Sequence, residues 1–171
     1  MGNRKIGQRR RTVWTAFGGF LLVTGYAVAG TLQTLVWNPL AAVPGATMEQ
    51  IHAGLDQANE SLRAPVVIVW AVMGVLLAAV VVVGAVQRSD LPVKKVLVVD
   101  LLLLVLAAPS HWYAAFPAGM GIADAFATHG GDHAPWGRAL YAVSALALVA
   151  LSVVAMKSGF GRTRGYGSGP D

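Results

Sequence analysis

Four apolar stretches, each about as long as a membrane is thick, constrain the fold of this chain more than any other feature of its sequence. A helix needs about 20 predominantly apolar residues to cross the roughly 30 Å of hydrocarbon in a bilayer. Backbone amides in lipid must pair within the protein, and these stretches lack the two-residue alternation of barrel strands. We therefore expect membrane-spanning α-helices at about 13–37, 65–86, 93–113 and 139–156.

The composition agrees with a chain that lies mostly in lipid. Of the 171 residues, 56% are hydrophobic and 12% are charged, whereas about a quarter of the residues in soluble domains are charged. The sequence contains no cysteine, which excludes a disulfide framework, thiolate metal ligands and a cysteine nucleophile. We predict an all-α polytopic membrane protein whose four transmembrane helices, 13–156, form an antiparallel bundle.

The distribution of lysine and arginine predicts an orientation. Eleven of the 13 basic residues precede the first span, lie between the second and third, or follow the fourth. The positive-inside rule makes that side cytoplasmic, so we expect a plasma (inner) membrane protein with both termini in the cytoplasm. The termini are then a basic segment, 1–12, and a glycine-rich tail, 157–171, that we expect to be disordered. Because the basic residues lie in short clusters, no nucleic-acid partner is expected.

The first span also has features of a secretory signal peptide. Basic residues precede an apolar stretch, and Ala27, Val28 and Ala29 before Gly30 match a small-residue cleavage site. The apolar stretch continues to Trp37, however, and an aromatic anchor at the end is typical of a retained span. We expect a retained first span, and cleavage to three spans is the alternative.

The segment between the first two spans predicts a short amphipathic helix over about 47–62. Thr47 and Gln50 have the spacing of a capping box. Apolar residues then recur at helical intervals, at Met48, Ile51, Leu55, Ala58 and Leu62. We expect this helix to lie on the outer face of the membrane domain, against the bundle or at the lipid interface.

Asp100 is the one ionisable residue that the predicted spans place well inside the hydrocarbon. A carboxylate at that depth costs roughly 2.5 to 3.5 kcal/mol on insertion scales, so it needs a partner or a proton. Thr24 and Ser152 are intramembrane polar residues at comparable depth. One interpretation is a site that handles protons or cations. The other is structural, either a hydrogen bond between helices or pairing with nearby Lys95.

His111 lies eleven residues after Asp100, close to three helical turns, so the two share one helix face. This spacing suggests a polar route from the middle of the membrane to the outer surface. Leu104 and Ala107 interrupt it with apolar side chains, and Pro109 is expected to bend the helix.

The histidines of the chain all fall in or beside the predicted outer segments. His129, Asp132 and His133, with His111 or His52 as a fourth ligand, have side chains that suit Zn²⁺ or Cu²⁺. The glycines between His129 and His133 disfavour a helix, which is the structure in which this spacing holds a metal. The alternative interpretation is a polar, flexible loop.

Small residues at four-residue spacing predict close helix packing. The pairs are Gly25 with Ala29 on the first span and Gly74 with Ala78 on the second. Such pairs let two helix backbones approach, either within the bundle or between subunits.

The sequence shows no phosphate-binding loop, nucleophile elbow or zinc-protease motif, so an enzyme is the minority hypothesis. The favoured function is a structural or accessory component of a membrane assembly, with a larger complex or a second copy as partner. The alternative is a small transporter or an ion- or metal-handling protein that uses Asp100 and the outer-side histidines.

Overall fold

A computed structural model describes residues 2–88 and 90–163 of the chain, and the side chains of 6–88 and 90–157. The described residues form helices joined by short connections and contain no strand, which confirms the all-α prediction. The helices are α1 (Gly2–Leu32), a π-helix (Gln33–Trp37), α2 (Asn38–Ala42), α3 (Met48–Gln57), α4 (Ala64–Gln87), α5 (Val93–Phe126) and α6 (Trp136–Thr163).

The first three elements follow one another without a break, so the helical segment is longer than the predicted span 13–37. The segment 1–12, predicted as a basic terminus, is helical from Gly2 onward. In the π-helix, the backbone N–H of Asn38 donates to the carbonyl of Gln33, five residues earlier. Pro39 follows directly, and a proline ring removes a donor and disrupts the regular ladder before it. The wider turn accommodates this proline.

α4 and α5 form an antiparallel hairpin, because only a short connection separates Gln87 from Val93. The buried Thr12 hydroxyl of α1 lies 3.1 Å from the carbonyl oxygen of Leu91, and Arg9 Nη2 donates to the carbonyl of Val86 over 3.1 Å. These bonds hold the beginning of α1 against the hairpin. We call this end of the bundle the turn end, and the opposite end, which carries α3, the cap end.

α5 continues thirteen residues past the predicted end at 113 and contains Pro109 and Pro117 in its interior. The Ser110 hydroxyl donates to the carbonyl of Leu106 over 2.7 Å, next to Pro109. The carbonyl that Pro109 leaves without a backbone donor is that of Val105, and packing against neighbouring helices with small backbone adjustments lets a helix tolerate such a proline. The boundary predicted from hydropathy at 113 is therefore not the end of the helix.

α6 continues past the predicted end at 156. Residues 157–163, predicted to begin a disordered tail, are helical, so disorder from Lys157 is wrong for these residues. Extending an existing helix costs little compared with starting one, and basic residues near a helix C-terminus are favourable. The rest of the predicted tail, 164–171, lies outside the described residues.

α3 confirms the short amphipathic helix predicted between the first two spans, but it is shorter than the predicted range 47–62. Both bonds of the capping box form between Thr47 and Gln50. The helix ends at Gln57 because the chain turns at Asn59, whose φ of 55° is left-handed, a conformation that asparagine tolerates. Its apolar side packs on the cap-end part of α5, in a cluster that includes Ile51, Leu55, Ala42, Leu62, Ala118 and Ile122. The cap thus rests on the bundle.

In the bundle, α1 packs against α4 and α5, and α6 packs mainly against α5. The main core cluster contains Val23, Tyr26, Ala78, Leu104, Leu140 and Ala147. Large hydrophobic side chains of α4 and α6 face outward, for example Val80 and Leu146. A continuous apolar exterior of this kind suits contact with lipid.

Three of the described helical segments are long and apolar enough to cross a membrane: Ile6–Ala42, Ala64–Gln87 and Trp136–Lys157. They include the predicted first, second and fourth spans and support a membrane protein. α5, which contains the predicted span 93–113, is not among them.

Candidate functional site

Asp100 lies on α5 in the turn-end half of the bundle and faces α1. Its side chain is 4% exposed, and neither carboxylate oxygen has a hydrogen-bond partner among the described residues. The carboxylate lies against Gly19, where an added methyl group would overlap it. Gly19 therefore makes the space that Asp100 occupies.

The predicted spans did not identify Gly19. A usable signal was present, because Gly19 lies six residues from the predicted start of the first span and Asp100 seven from that of the third. A search for small residues at the same predicted depth as the buried acid would therefore have found Gly19 as a neighbour of Asp100.

The predicted partners do not contact the Asp100 carboxylate. Thr24 Oγ1 is buried but has no partner within the described structure. Ser152 is exposed, and its hydroxyl donates to the carbonyl of Leu148 in its own helix over 2.9 Å. Lys95 is also exposed and makes no bond to the carboxylate. The structural interpretation of Asp100 thus lacks a partner among the described residues.

The residues between Asp100 and the turn end are apolar. Ala16 of α1, Ala85 of α4 and Val96 of α5 form a buried cluster, and Val96 lies one helical turn from Asp100. The three helices close the bundle around this cluster.

Ser144 and Tyr26 form a polar pair at the level of Leu104, one turn from Asp100 toward the cap end. The Ser144 hydroxyl donates to the carbonyl of Leu104 over 2.7 Å and lies 3.4 Å from the Tyr26 hydroxyl. The sequence interpretation treated this level as apolar and missed both residues. No hydrogen bond joins the pair to Asp100 or His111 within the described structure. The polar side chains therefore do not form a continuous hydrogen-bonded chain from Asp100 to His111.

His111 of α5 is 4% exposed and contacts α1. Its Nε2 lies 3.0 Å from the carbonyl oxygen of Gly30 and 3.0 Å from Thr34 Oγ1. Because a carbonyl only accepts, Nε2 carries the proton and the neutral ring has its lone pair on Nδ1. The indole of Trp70 lies 4.9 Å from the imidazole, between ring centroids. A methyl group at Gly30 would lie 2.8 Å from the indole and 3.0 Å from the imidazole, so the glycine is needed here.

A cavity of about 110 Å³ lies at the cap end beside His111. Its polar lining residues are Thr34, Asn38, His111, Asp132 and Tyr141. Residues 130–132, from the connection between α5 and α6, also line it. We call this connection, 127–135, the roof loop.

Side chains from the π-helix and the first residue of α2 hold the roof loop in place. Asn38 Oδ1 accepts from the backbone N–H of His133 over 2.6 Å and from that of Ala134 over 3.3 Å. Gln33 Nε2 lies 3.3 Å from Asp132 Oδ1 and 3.4 Å from the carbonyl of Ala134. The π-helix and the residue after it thus supply the side chains that fix the loop, and π-turns are frequent at functional sites.

Glycines set the distance between the roof loop and the helices. A methyl group at Gly119 of α5 would lie 2.6 Å from the carbonyl oxygen of Gly130. One at Gly137, in the first turn of α6, would overlap the Asp132 carboxylate. The loop sits directly on both helices because these positions lack side chains.

The predicted metal ligands His129, Asp132, His133 and His111 are not brought together. His129 and His133 stack with ring centroids 4.0 Å apart, and His133 Nε2 lies 2.9 Å from the His129 carbonyl. Asp132 contacts Gln33, whereas His111 contacts α1, and His52 is exposed on α3. Across 2–88 and 90–163, no three histidine or acidic side chains converge in a way that could hold a metal ion. The Zn²⁺ or Cu²⁺ site stays a prediction without a matching geometry.

The two predicted packing pairs have different environments. Ala78 is fully buried in the core, and Gly74 faces Val23 of α1, 3.9 Å from the position of an added methyl group. Gly25 and Ala29 instead line an apolar groove of about 450 Å³ between α1 and α6. An added methyl group at Gly25 would have no neighbour within 4 Å. One pair therefore packs inside the bundle and the other faces outward.

The described site has two parts, a buried carboxylate in the turn-end half and a polar cavity under the roof loop, with the Tyr26 and Ser144 pair between them. Searches of protein-family models, curated proteins and solved structures find no match to this chain.

Proposed function

We propose that this chain is a four-span membrane protein that binds and releases protons at Asp100. The fourth span in this proposal is the first part of α5, about 93–113. It is joined to α4 by a short turn, and neighbours in such a hairpin cross the same layer in opposite directions. It also packs against α1, α4 and α6, so it lies inside the group of lipid-facing helices.

The orientation in this proposal follows from the basic residues. The turn end carries Arg88, Lys94, Lys95 and the basic beginning of α1, and we assign it to the cytoplasm. Both termini are then cytoplasmic in the plasma (inner) membrane, and the cap end faces outward.

The observation that carries the function is a buried carboxylate with no partner. An ionised Asp100 at this depth costs roughly 2.5 to 3.5 kcal/mol, whereas the protonated acid carries no charge. If Asp100 served to join helices, its carboxylate would bond to a group on another helix. Gly19 and the apolar cluster beside Asp100 offer no side chain for such a bond. A group that exchanges one proton when water reaches it fits this environment better than a group that joins helices.

A hydrophobic carbodiimide tests the protonation of Asp100 directly, because it reacts with protonated carboxyl groups inside membranes. The full chain in liposomes is treated at neutral pH, and modified residues are located by peptide mass spectrometry. We expect modification at Asp100 and none at Glu49, which is exposed on α3. Equal modification of both, or of Glu49 alone, contradicts a protonated Asp100.

Flux measurements test whether the proton moves. We expect liposomes with the parent protein to take up protons when a membrane potential is imposed, as read by an internal pH dye. Asp100→Asn should abolish uptake with unchanged helix content, and Glu49→Gln should not affect it. A parent protein without flux, or an Asp100→Asn variant as active as the parent, refutes the proposal.

A second candidate is an accessory component of a larger membrane assembly. The groove between α1 and α6 favours it, because Gly25 and Ala29 leave room there for a further helix. Gly25→Leu should fill the groove and disrupt an assembly seen in mild detergent, without lowering the melting temperature of the isolated chain. Gly18→Leu, which also has open space around it, is the matched control. Equal assembly in the parent and in Gly25→Leu argues against this role.

A further inference from the structure

We infer that the cap-end cavity binds a small organic ammonium group. The first observation is charge: of the lining residues that the structure describes, Asp132 is the only one with a formal charge at neutral pH, and no lysine or arginine lines the cavity. Asp132 accepts from the neutral amide of Gln33 and has no ion-pair partner within the described residues. Its side chain is exposed and lines the cavity, with Oδ1 on Gln33 and the other oxygen against Gly137.

A second acceptor lies deeper. His111 is buried and lines the cavity, and it uses Nε2–H toward Gly30 and Thr34, so Nδ1 is the acceptor that its ring has left. An ammonium group has several N–H donors and no acceptor, so it complements a site that offers a carboxylate and an imidazole lone pair.

The walls are aromatic. Trp112, Phe116 and Tyr141 line the cavity, and the rings of Trp112 and Phe116 lie 5.6 Å apart between centroids. Aromatic faces attract organic cations and cover their carbon atoms. The rings of Trp112 and Phe116 offer no ligand atoms to a metal ion.

These features separate an organic cation from a metal ion. Divalent metals need several carboxylate, imidazole or carbonyl ligands at short distance, and no three histidine or acidic side chains converge in the described structure. The volume of about 110 Å³ gives room for several water-sized groups, at about 10 to 15 Å³ each. Methylammonium, or the ammonium end of ethanolamine, has a suitable size.

The ammonium group has two possible sources, a free amine or the head group of phosphatidylethanolamine. The cavity lies near Trp112, an exposed residue of the type that marks the membrane surface. Both sources present the same chemistry to Asp132 and His111, and lipid composition distinguishes them.

The experiment is a calorimetric titration of the full chain with methylammonium chloride. The protein is held in phosphatidylglycerol nanodiscs, which contain no amine, and sodium chloride keeps the ionic strength constant. We expect saturable binding of methylammonium over the sodium background. An absence of saturable binding, or equal competition by sodium, overturns the inference.

Two variants locate the binding site. Asp132→Asn keeps an oxygen for Gln33 but removes the charge, and we expect about tenfold weaker binding or more, the size of a charge-assisted interaction. Trp112→Leu should weaken binding about threefold through the lost cation–π contact. Asp124→Asn is the matched control, because Asp124 is exposed on α5 and does not line the cavity. Equal affinities for Asp132→Asn and Asp124→Asn would place the ligand elsewhere and overturn the inference.

Nanodiscs that contain phosphatidylethanolamine identify the source. Weaker apparent affinity for methylammonium in these discs indicates that the lipid head group occupies the cavity. Unchanged affinity indicates a free amine. Either result supports an ammonium site, and neither depends on proton binding at Asp100.

Discussion

The two halves of this bundle are built by different kinds of interaction. At the turn end, the interior is apolar packing of helices around one acid, and Asp100 fits because Gly19 lacks a side chain. At the cap end, amide and hydroxyl side chains bond to a loop and to an imidazole across the fold. Shape thus governs the surroundings of Asp100, whereas hydrogen bonds fix the roof loop and His111, so these two regions should respond to different substitutions.

The largest expected effect comes from shape at the turn end. Gly19→Leu forces a branched side chain into the space of the Asp100 carboxylate, and overpacking of this kind costs about 3 kcal/mol. Unfolding in mixed micelles should measure the loss. Asp100→Ala in the same chain should recover much of it, and a double variant no more stable than Gly19→Leu alone would show that the two sites are not in contact.

A smaller effect is expected from hydrogen bonding at the cap end. Asn38→Ala leaves the backbone N–H groups of His133 and Ala134 without their acceptor, at a cost of about 2 kcal/mol. The roof loop should loosen while the turn end stays unchanged. Amide hydrogen exchange should therefore accelerate in 127–135 and not in 88–92, and uniform acceleration would remove the distinction between the halves.

Thr34→Val tests one bond at the cap end. Valine keeps the shape of threonine but cannot bond to His111 Nε2, so a loss of about 1 kcal/mol is expected. Thermal unfolding in detergent measures it. Faster amide hydrogen exchange in the hairpin of α4 and α5, instead of a local effect near His111, would contradict the assignment of this bond to the cap end.

The smallest effect is expected at a polar residue that belongs to neither network. Ser152 is exposed and bonds only within its own helix, so Ser152→Ala should change stability by less than about 0.5 kcal/mol. A larger loss, measured by the same unfolding assay, would mean that Ser152 contacts a partner.

Hydropathy and local chemistry predict a large part of the fold. The apolar stretches predict helices, and Thr47 with Gln50 predicts the beginning of the cap helix, because a capping box depends on residues three apart. The ends of α3 and α5 were not predictable in the same way. The first depends on a left-handed residue at Asn59, and the second on a helix that leaves the apolar region without stopping.

One part of the candidate site was predictable from the sequence and the other was not. Asp100 stands out in the sequence because an acid in an apolar stretch is conspicuous without any knowledge of its neighbours. The cavity does not, because Gln33 and Asn38 bond to residues about a hundred positions later in the chain. Local periodicity and residue spacing cannot show which residues so far apart in the chain will meet. The grouping of histidines suggested a metal site, but in the structure His111 contacts α1.

The π-helix at Gln33–Trp37 has a consequence for how this chain tolerates change in length. It holds one residue more than regular α-helical winding needs, because its hydrogen bond closes over five residues where an α-helix closes it over four. Deletion of one residue there other than Gln33 therefore lets ordinary winding resume while the residues on both sides keep nearly the same orientation. A deletion inside α1 has no extra residue to remove, so everything beyond it would rotate by about 100° and Asn38 would no longer reach the roof loop. The π-helix is thus a place in this first helical segment where the chain can lose one codon and keep the registry of its flanks.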